Sequence, residues 1–410
     1  MGAAPRIDSR TPVAGVRIRT AANPATLRRP APTEPAPSAR RLRAVIVSEH
    51  DYRTKRRANM HPIADALVAL GWDVAFVSVR FSPLSRIKRD SRRFLWRRAN
   101  VIEPHNGVAC YLWKTPFHPV HTRVAAIDRR SAFLYRLYAR LPSRGLDDIL
   151  RGAAVVIVES GLGAMLIGRI RAQSPDAIVS YLASDELATV GVHPYVQQAL
   201  EGAVDKIDHV CLPSPRMAES FAWAGDKLFH VPHGLDVADF AHAGEGESPY
   251  VALLNAVSVG SMLFDPQVVL HAARAHPDMQ FHVIGCGARF DAPANVRIYD
   301  EMPFSQTIAY LRHASVGIAP YRQAPGCDYL CDTSMKLMQY EYLGLPAVCP
   351  EFAVGGRAHR FGYTPGDYGS IAQAFAEAKA AGRAPARRFL GWSDVAQRLV
   401  NPRAFADTAL

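Results

Sequence analysis

The sequence predicts an α/β protein with parallel sheets in two successive halves, and three observations lead there. Short apolar strands ending in small residues alternate with helical stretches, the pattern of parallel sheets whose ligands gather outside the carboxyl ends of the strands. The alternation restarts after a polar, glycine-containing segment, Asp236 to Ser248, which reads as an interdomain linker. The 410 residues are 49% hydrophobic, ample for two domains of ordinary size.

Residues 1–41 are rich in Ala, Pro, Arg and Thr with little apolar periodicity, and are expected to be disordered. The first domain, 42–235, opens on the strand Arg43 to Ser48, followed by a loop and a helix around Pro62 to Leu70 that Gly71 ends. Strands follow at Trp72 to Val79, Ala153 to Val158 and Ala177 to Tyr181, with a helix beginning near Leu162. Val210 to Pro213 and Leu228 to Pro232 close this half. The linker is 236–248 and the second domain 249–365, with strand segments at Ala256 to Pro266, Phe281 to Gly287 and Val316 to Tyr321. In the tail, 366–410, Ile371 to Ala380 is expected to be helical.

Composition removes several classes. No stretch approaches the roughly eighteen uninterrupted apolar residues of a membrane span, and the N-terminus lacks an apolar signal core, which argues against secretion. Six scattered cysteines make no zinc pattern and are expected to be reduced thiols. A net charge of +11 calls for an acidic partner: nucleic acid, an anionic membrane or a phosphorylated substrate.

The most informative stretch is Asp332 to Pro350. Asp332, Thr333 and Ser334 offer N-cap side chains, and the helical run ends at Gly344 with Pro346 beyond. Lys336 falls in the first turn, where free N–H groups and the helix dipole already favour an anion. Gln339 follows one turn deeper. Alone, the pattern equally fits an amphipathic helix with a snorkelling lysine. Gly260, Ser261, Gly285, Gly287, Tyr321 and Lys336 would all gather on one sheet edge, as a nucleotide site requires. The Gly-Cys-Gly piece lacks the third glycine of a dinucleotide fingerprint.

The segments VGSMLFDP, FHVIG, IAPY, SMKLMQYEYLGLPAVCP and RFGYTPG resemble the GumK family of inverting glucuronosyltransferases, which act in xanthan-type polysaccharide assembly. So do SEHDYRTKRRANMHPI, RFSPLSRIKRD, HNGVACYLWKTPFHP and YLASDEL, in order from about Val45 to Arg403. The resemblance implies the GT-B architecture: two Rossmann-like parallel-sheet domains facing across a cleft, no metal and no cofactor, and a C-terminal tail (366–410) returning to the first domain. It implies a UDP-glucuronate donor in the second half and a polyprenyl-diphosphate-linked oligosaccharide acceptor in the first.

Asp185 follows a buried strand at the cleft edge, where it fits either a helix N-cap or a catalytic base. The resemblance matches it to the family's catalytic aspartate, which takes the acceptor hydroxyl proton. Lys336 and its helix N-terminus would stabilise the departing diphosphate. Asp51, His50 and Glu159 are rival bases, each just after a strand. For the donor, the family motif picks out Gly260, Ser261, Met262, Glu301, Tyr321, Met335, Lys336 and Gln339. Glu301 reads equally as a surface carboxylate, and a core tyrosine would leave the same trace as Tyr321. Cys331 and Gln339 stand where many retaining GT-B enzymes carry two glutamates, which favours inversion. No Asp-x-Asp occurs anywhere in the chain.

The run Arg86 to Arg98 carries seven cations, one acid and the cluster Phe94, Leu95 and Trp96. It fits a solvated helix, or an interfacial element that inserts apolar side chains while cations meet anionic headgroups. No recognition helix, RNP-type motif or zinc site supports nucleic-acid binding. The expectation is an inverting glucuronosyltransferase, peripheral at the cytoplasmic face of the inner membrane, in exopolysaccharide biosynthesis. The alternatives are a GT-B enzyme using another UDP-sugar, or a non-catalytic nucleotide- or polyanion-binding protein.

Overall fold

Two sheets organise the chain in the computed structural model, which describes residues 41–410 except Arg56, Arg89 and 243–245. The expected disorder of 1–41 thus falls, Arg41 apart, outside the described residues. The first sheet comprises β1 (Arg43–Ser48), β2 (Asp73–Phe81), β3 (Ile102–His105) and β4 (Val108–Lys114). It continues with β5 (Val155–Glu159), β6 (Ile178–Leu182), β7 (His209–Leu212) and β8 (Leu228–His230). Their spatial order is β3-β4-β2-β1-β5-β6-β7-β8, with only the edge strand β3 antiparallel to its neighbour. The second sheet holds β9 (Asn255–Val259), β10 (Gln280–Ile284), β11 (Val296–Tyr299), β12 (Val316–Ile318), β13 (Ala347–Pro350) and β14 (Arg360–Tyr363). Its order is β11-β10-β9-β12-β13-β14, parallel throughout.

The strand sequences explain this arrangement. β1 and β5 are nearly continuous β-branched runs, buried on both sides by helices, as central parallel strands must be. β3 and β4, unnoticed in the sequence, form a hairpin over Asn106-Gly107, both at positive φ. Both sheets belong to one compact body, and loops leaving the carboxyl ends of β6 and β7 meet the segment leaving β12.

Two expectations change. The tail does not return as a whole: in the helix Tyr368–Ala381, Ile371, Ala374, Phe375 and Ala378 form one apolar stripe packed on the second sheet against Phe281, Ile318 and Val348. Only the helix Trp392–Val400 returns, laying Trp392, Val395, Ala396 and Leu399 on the outer side of the first sheet, with Ser180 Oγ donating to Leu399 O at 2.7 Å. The linker, in turn, begins as a short helix, Val237–His242, whose fully buried Phe240 packs on Phe304 and Tyr342 of the second half. Among the described residues no helix is long and apolar enough to cross a membrane, and all six cysteines are buried and unpaired.

Candidate active site

The second half builds one wall. The run from Asp332 breaks into two helices, Leu330–Thr333 and Met335–Tyr342, because Ser334 is extended and caps the second by accepting from Leu337 N–H. Tyr340 anchors that helix: its hydroxyl donates to Val257 O on β9 and Ile318 O on β12, both at 3.0 Å. Its ring lies so close over Gly317 that a Cβ there would stand 2.6 Å from it. Lys336 is thereby fixed in the first turn, buried, with Nζ 3.2 Å from Ser258 Oγ. Among the described residues it has no acidic partner. Burial pulls its ammonium down to about 7. A buried cation without a counter-ion is a costly arrangement, and an incoming anion relieves it.

Around it stand the other residues singled out in the sequence. Gly260, at φ +93°, ends β9 and bonds Ile284 O through its N–H; Ser261 and Met262 follow, the first half-buried and the second exposed. Gly285 (φ +63°) lies against Glu301, a Cβ there reaching the Glu301 Cα at 3.5 Å, and Glu301 itself is exposed. Met335 and Gln339 are half-buried on the helix of Lys336. Tyr321 is different. It is buried, its hydroxyl tied to Ser334 Oγ at 2.5 Å and its ring 5.3 Å from Lys336 Nζ, so it supports the lysine and the cap from beneath.

The first half builds the other wall from the carboxyl ends of β1, β5 and β6. Asp185, just past β6, has its N–H bonded to Ser160 Oγ at 3.2 Å, and its Oδ1 accepts from the Tyr329 hydroxyl of the second half at 3.0 Å. Burial pushes its carboxyl up to about 6, against the pull of the Tyr329 hydrogen bond. Glu159, at the end of β5, is buried and bonded by Ser48 Oγ; burial first, then the charges of Asp185 and Glu49, push it up to about 8. At neutral pH the pair is thus one carboxylate, Asp185, beside one neutral acid, Glu159.

Asp51, a rival base, is consumed by structure. Arg53 forks onto both its oxygens and Ser78 Oγ donates at 2.8 Å, which overcomes the effect of burial and holds it below the usual carboxylate range. That pairing, with the Arg53–Glu103 bridge, also takes Arg53 out of the set of free cations, and Arg57 pairs with Asp65.

The basic run 86–98 departs most from expectation. Residues Ser91–Arg98 form a 3-10 helix, in which adjacent side chains point three different ways. Leu95 is fully buried against Phe81 and Leu112, and Trp96 packs beside it. Arg92 is buried too, donating to the carbonyls of Glu49, Val79 and Arg80. Ile87, Ser91, Phe94 and the cations Arg86, Lys88, Arg93, Arg97 and Arg98 face outward, and Arg89 lies outside the described residues. Sequence reasoning missed a better candidate. The helix Ala125–Ala139 exposes Ile127, Phe133 and Leu137 interleaved with Arg129, Arg130 and Arg136, an apolar and cationic stripe legible at helical spacing. Two site residues were missed as well. Ser258 is a polar residue set between Val257 and Val259 inside a buried strand, a readable signal, whereas Tyr329 carries none.

Comparisons with known proteins agree with this geometry. Among solved structures, a sucrose-phosphate synthase from Thermosynechococcus elongatus matches with a TM-score of 0.54 at 14% identity, covering 89% of this chain and 96% of that one. An alpha,alpha-trehalose-phosphate synthase (UDP-forming) from Burkholderia xenovorans matches at 0.53 and 13% identity, covering 88% and 96%. At that identity they speak for the fold alone, which is GT-B. The family model described as glucuronosyltransferase GumK, N-terminal domain, matches residues 46–213. A UDP-glucuronate:glycolipid 2-beta-glucuronosyltransferase of Xanthomonas campestris pv. campestris is 43% identical over 381 residues, covering 92% of this chain and 94% of that protein. A likeness of that depth spans both walls of the cleft, and with it this chain belongs to the GumK glucuronosyltransferase family.

Proposed function

We propose that this protein transfers glucuronic acid from UDP-glucuronate to a polyprenyl-diphosphate-linked oligosaccharide, with inversion, in exopolysaccharide biosynthesis. The observation that carries this is a carboxylate of the first half, Asp185, hydrogen-bonded to Tyr329 of the second, on the segment that leads into the helix of Lys336, a buried lysine with no counter-ion among the described residues. The acceptor oxygen attacks the anomeric carbon from the side opposite the nucleotide, its proton passes to Asp185, and the C1–O bond to the β-phosphate breaks with its electron pair leaving on UDP. Lys336 and the N-terminus of its helix neutralise that charge as it develops. Gly260, Ser261, Met262, Glu301, Met335 and Gln339 surround the donor, with Tyr321 supporting Lys336 from below. The test is transfer itself. Labelled UDP-glucuronate incubated with a lipid extract of the producing cells should yield a lipid-linked product heavier by one hexuronic acid, and a panel of other UDP-sugars should release little UDP. Preferred turnover of another UDP-sugar would reassign the donor.

A lipid-linked acceptor places the enzyme peripherally at the cytoplasmic face of the inner membrane, and the first half carries the contact surface. The helix Ala125–Ala139, with Ile87 and Phe94 of the basic run, offers exposed apolar side chains among arginines. Each cation near an anionic surface contributes roughly 1 kcal/mol. Binding to vesicles should therefore rise with anionic lipid and fall with salt. Serine at Ile127, Phe133 and Leu137 should remove the salt-resistant part, and glutamine at Arg129, Arg130 and Arg136 the salt-sensitive part, both leaving UDP affinity intact. Wild-type protein that ignores anionic vesicles at low salt would sink this placement.

A further inference from the structure

Asp185 is held from both halves of the protein. Its backbone is fixed by Ser160 in the first half, while its Oδ1 accepts from Tyr329, which the second half contributes. Tyr329 is almost fully buried. Other contacts clamp the two halves together. Thr189 Oγ1 donates to Pro325 O at 3.0 Å, Ser214 Oγ donates to Asp332 Oδ2 at 2.8 Å, and Arg216 stands 3.6 Å from Asp332. The second oxygen, Oδ2, has no partner among the described residues.

Burial disfavours the charge of this carboxyl. Its titratable neighbours are Glu159 on β5, Tyr181 on β6 and Glu186 in the loop. Among the described residues no cation acts on it, and Tyr329 is the one side chain that donates a hydrogen bond to it, which favours the carboxylate over the acid. Tyr329 is also close to the donor site along the chain. It leads into the helix Leu330–Thr333, which meets the helix of Lys336 at Ser334, where Tyr321 is bonded.

We propose that Tyr329 is a positioning residue that couples the donor half to Asp185, orienting the carboxylate through Oδ1 and favouring its charged form against the burial around it. The proposal rests on Asp185 being the base. It also distinguishes the two carboxylate oxygens. Oδ1 keeps the Tyr329 hydrogen bond throughout, and Oδ2 receives the proton when the acceptor O–H bond breaks and its oxygen bonds to the anomeric carbon. Tyr329 retains its own proton.

The test is the pH profile of UDP release from UDP-glucuronate by the full-length chain, with a lipid extract of the producing cells as acceptor. Tyr329→Phe keeps the ring and removes the donor. Its acidic limb should move up by about half to one pH unit, the size of one lost hydrogen bond to the ionised form, with UDP affinity unchanged. Ser214→Ala removes a clamp between the halves that does not touch Asp185, and its limb should stay with that of the wild type. An unmoved limb in Tyr329→Phe overturns the coupling, as does an equal shift in Ser214→Ala, which would assign the effect to contact between the halves alone. Lost UDP affinity in Tyr329→Phe also overturns it, making the residue a support of the donor site. Retained turnover in Asp185→Asn removes the base assignment itself, whereas a dead Asp185→Asn beside an unmoved Tyr329→Phe limb removes only this inference.

Discussion

Lys336→Ala is expected to abolish transfer and to weaken UDP binding by about 10- to 150-fold, the equivalent of roughly 1.5–3 kcal/mol for a lost charged hydrogen bond. The expectation follows from burial without a counter-ion: among the described residues Lys336 Nζ hydrogen-bonds only Ser258 Oγ, and no carboxylate there competes with a diphosphate for it. Lys336→Arg should not restore activity fully, because a planar fork does not fit where a compact ammonium is enclosed. Two further signs separate an anion site from a structural lysine. With its pKa drawn down to about 7 by burial, Lys336 is largely neutral at pH 8 and is expected to take up a proton as UDP binds. Calorimetry in buffers of different ionisation enthalpy should detect that uptake. The folded protein also suffers a penalty for holding this ammonium, complete below pH 7 and shrinking as pH rises toward the ordinary lysine value of 10.5. Lys336→Met should accordingly raise the melting temperature, more at pH 6 than at pH 9, while destroying function. Unchanged UDP affinity in Lys336→Ala would sink the assignment.

The sheets were legible because parallel strands buried on both sides read as continuous apolar runs, as in Val155 to Val158 or Ala44 to Val47. Lys336 and Asp185 were legible because each follows or opens an element whose end is marked by small and polar residues. The misses have physical causes. Leu95 and Trp96 form one apolar cluster in the sequence, yet a 3-10 helix turns them away from Phe94 and into the core against Phe81. Arg92 and Arg53 count as surface charge in any composition, but their guanidinium groups are spent on backbone carbonyls and on Asp51. Long-range pairing of this kind leaves no local trace. The same holds for Tyr329, whose partner lies 144 positions away. The helix Tyr368–Ala381 carries an apolar stripe that serves either sheet equally well, so the point where the tail crosses over was not readable.

Asp185→Asn is expected to fold, to bind UDP-glucuronate as the wild type does and to lose acceptor-dependent turnover by about 10²–10⁴-fold, the usual scale for removing a general base. The substitution is nearly isosteric, and the amide oxygen can still accept from Tyr329, so the clamp between the halves persists. Donor affinity is set by Lys336 on the opposite wall and has no reason to change. Only the ability to take a proton is lost. In the wild type that ability has a defined window. Burial raises the Asp185 carboxyl to about 6, so turnover should be full above that value and fall as pH drops through it. Glu159, higher at about 8, is protonated over most of the working range and cannot substitute as the base there. Asp51 cannot either, locked as it is by Arg53 and Ser78. Single-turnover measurements with saturating UDP-glucuronate separate the chemical step from binding. Near-wild-type turnover in Asp185→Asn would leave His50, the last of the rival bases named from the sequence, as the residue to replace next.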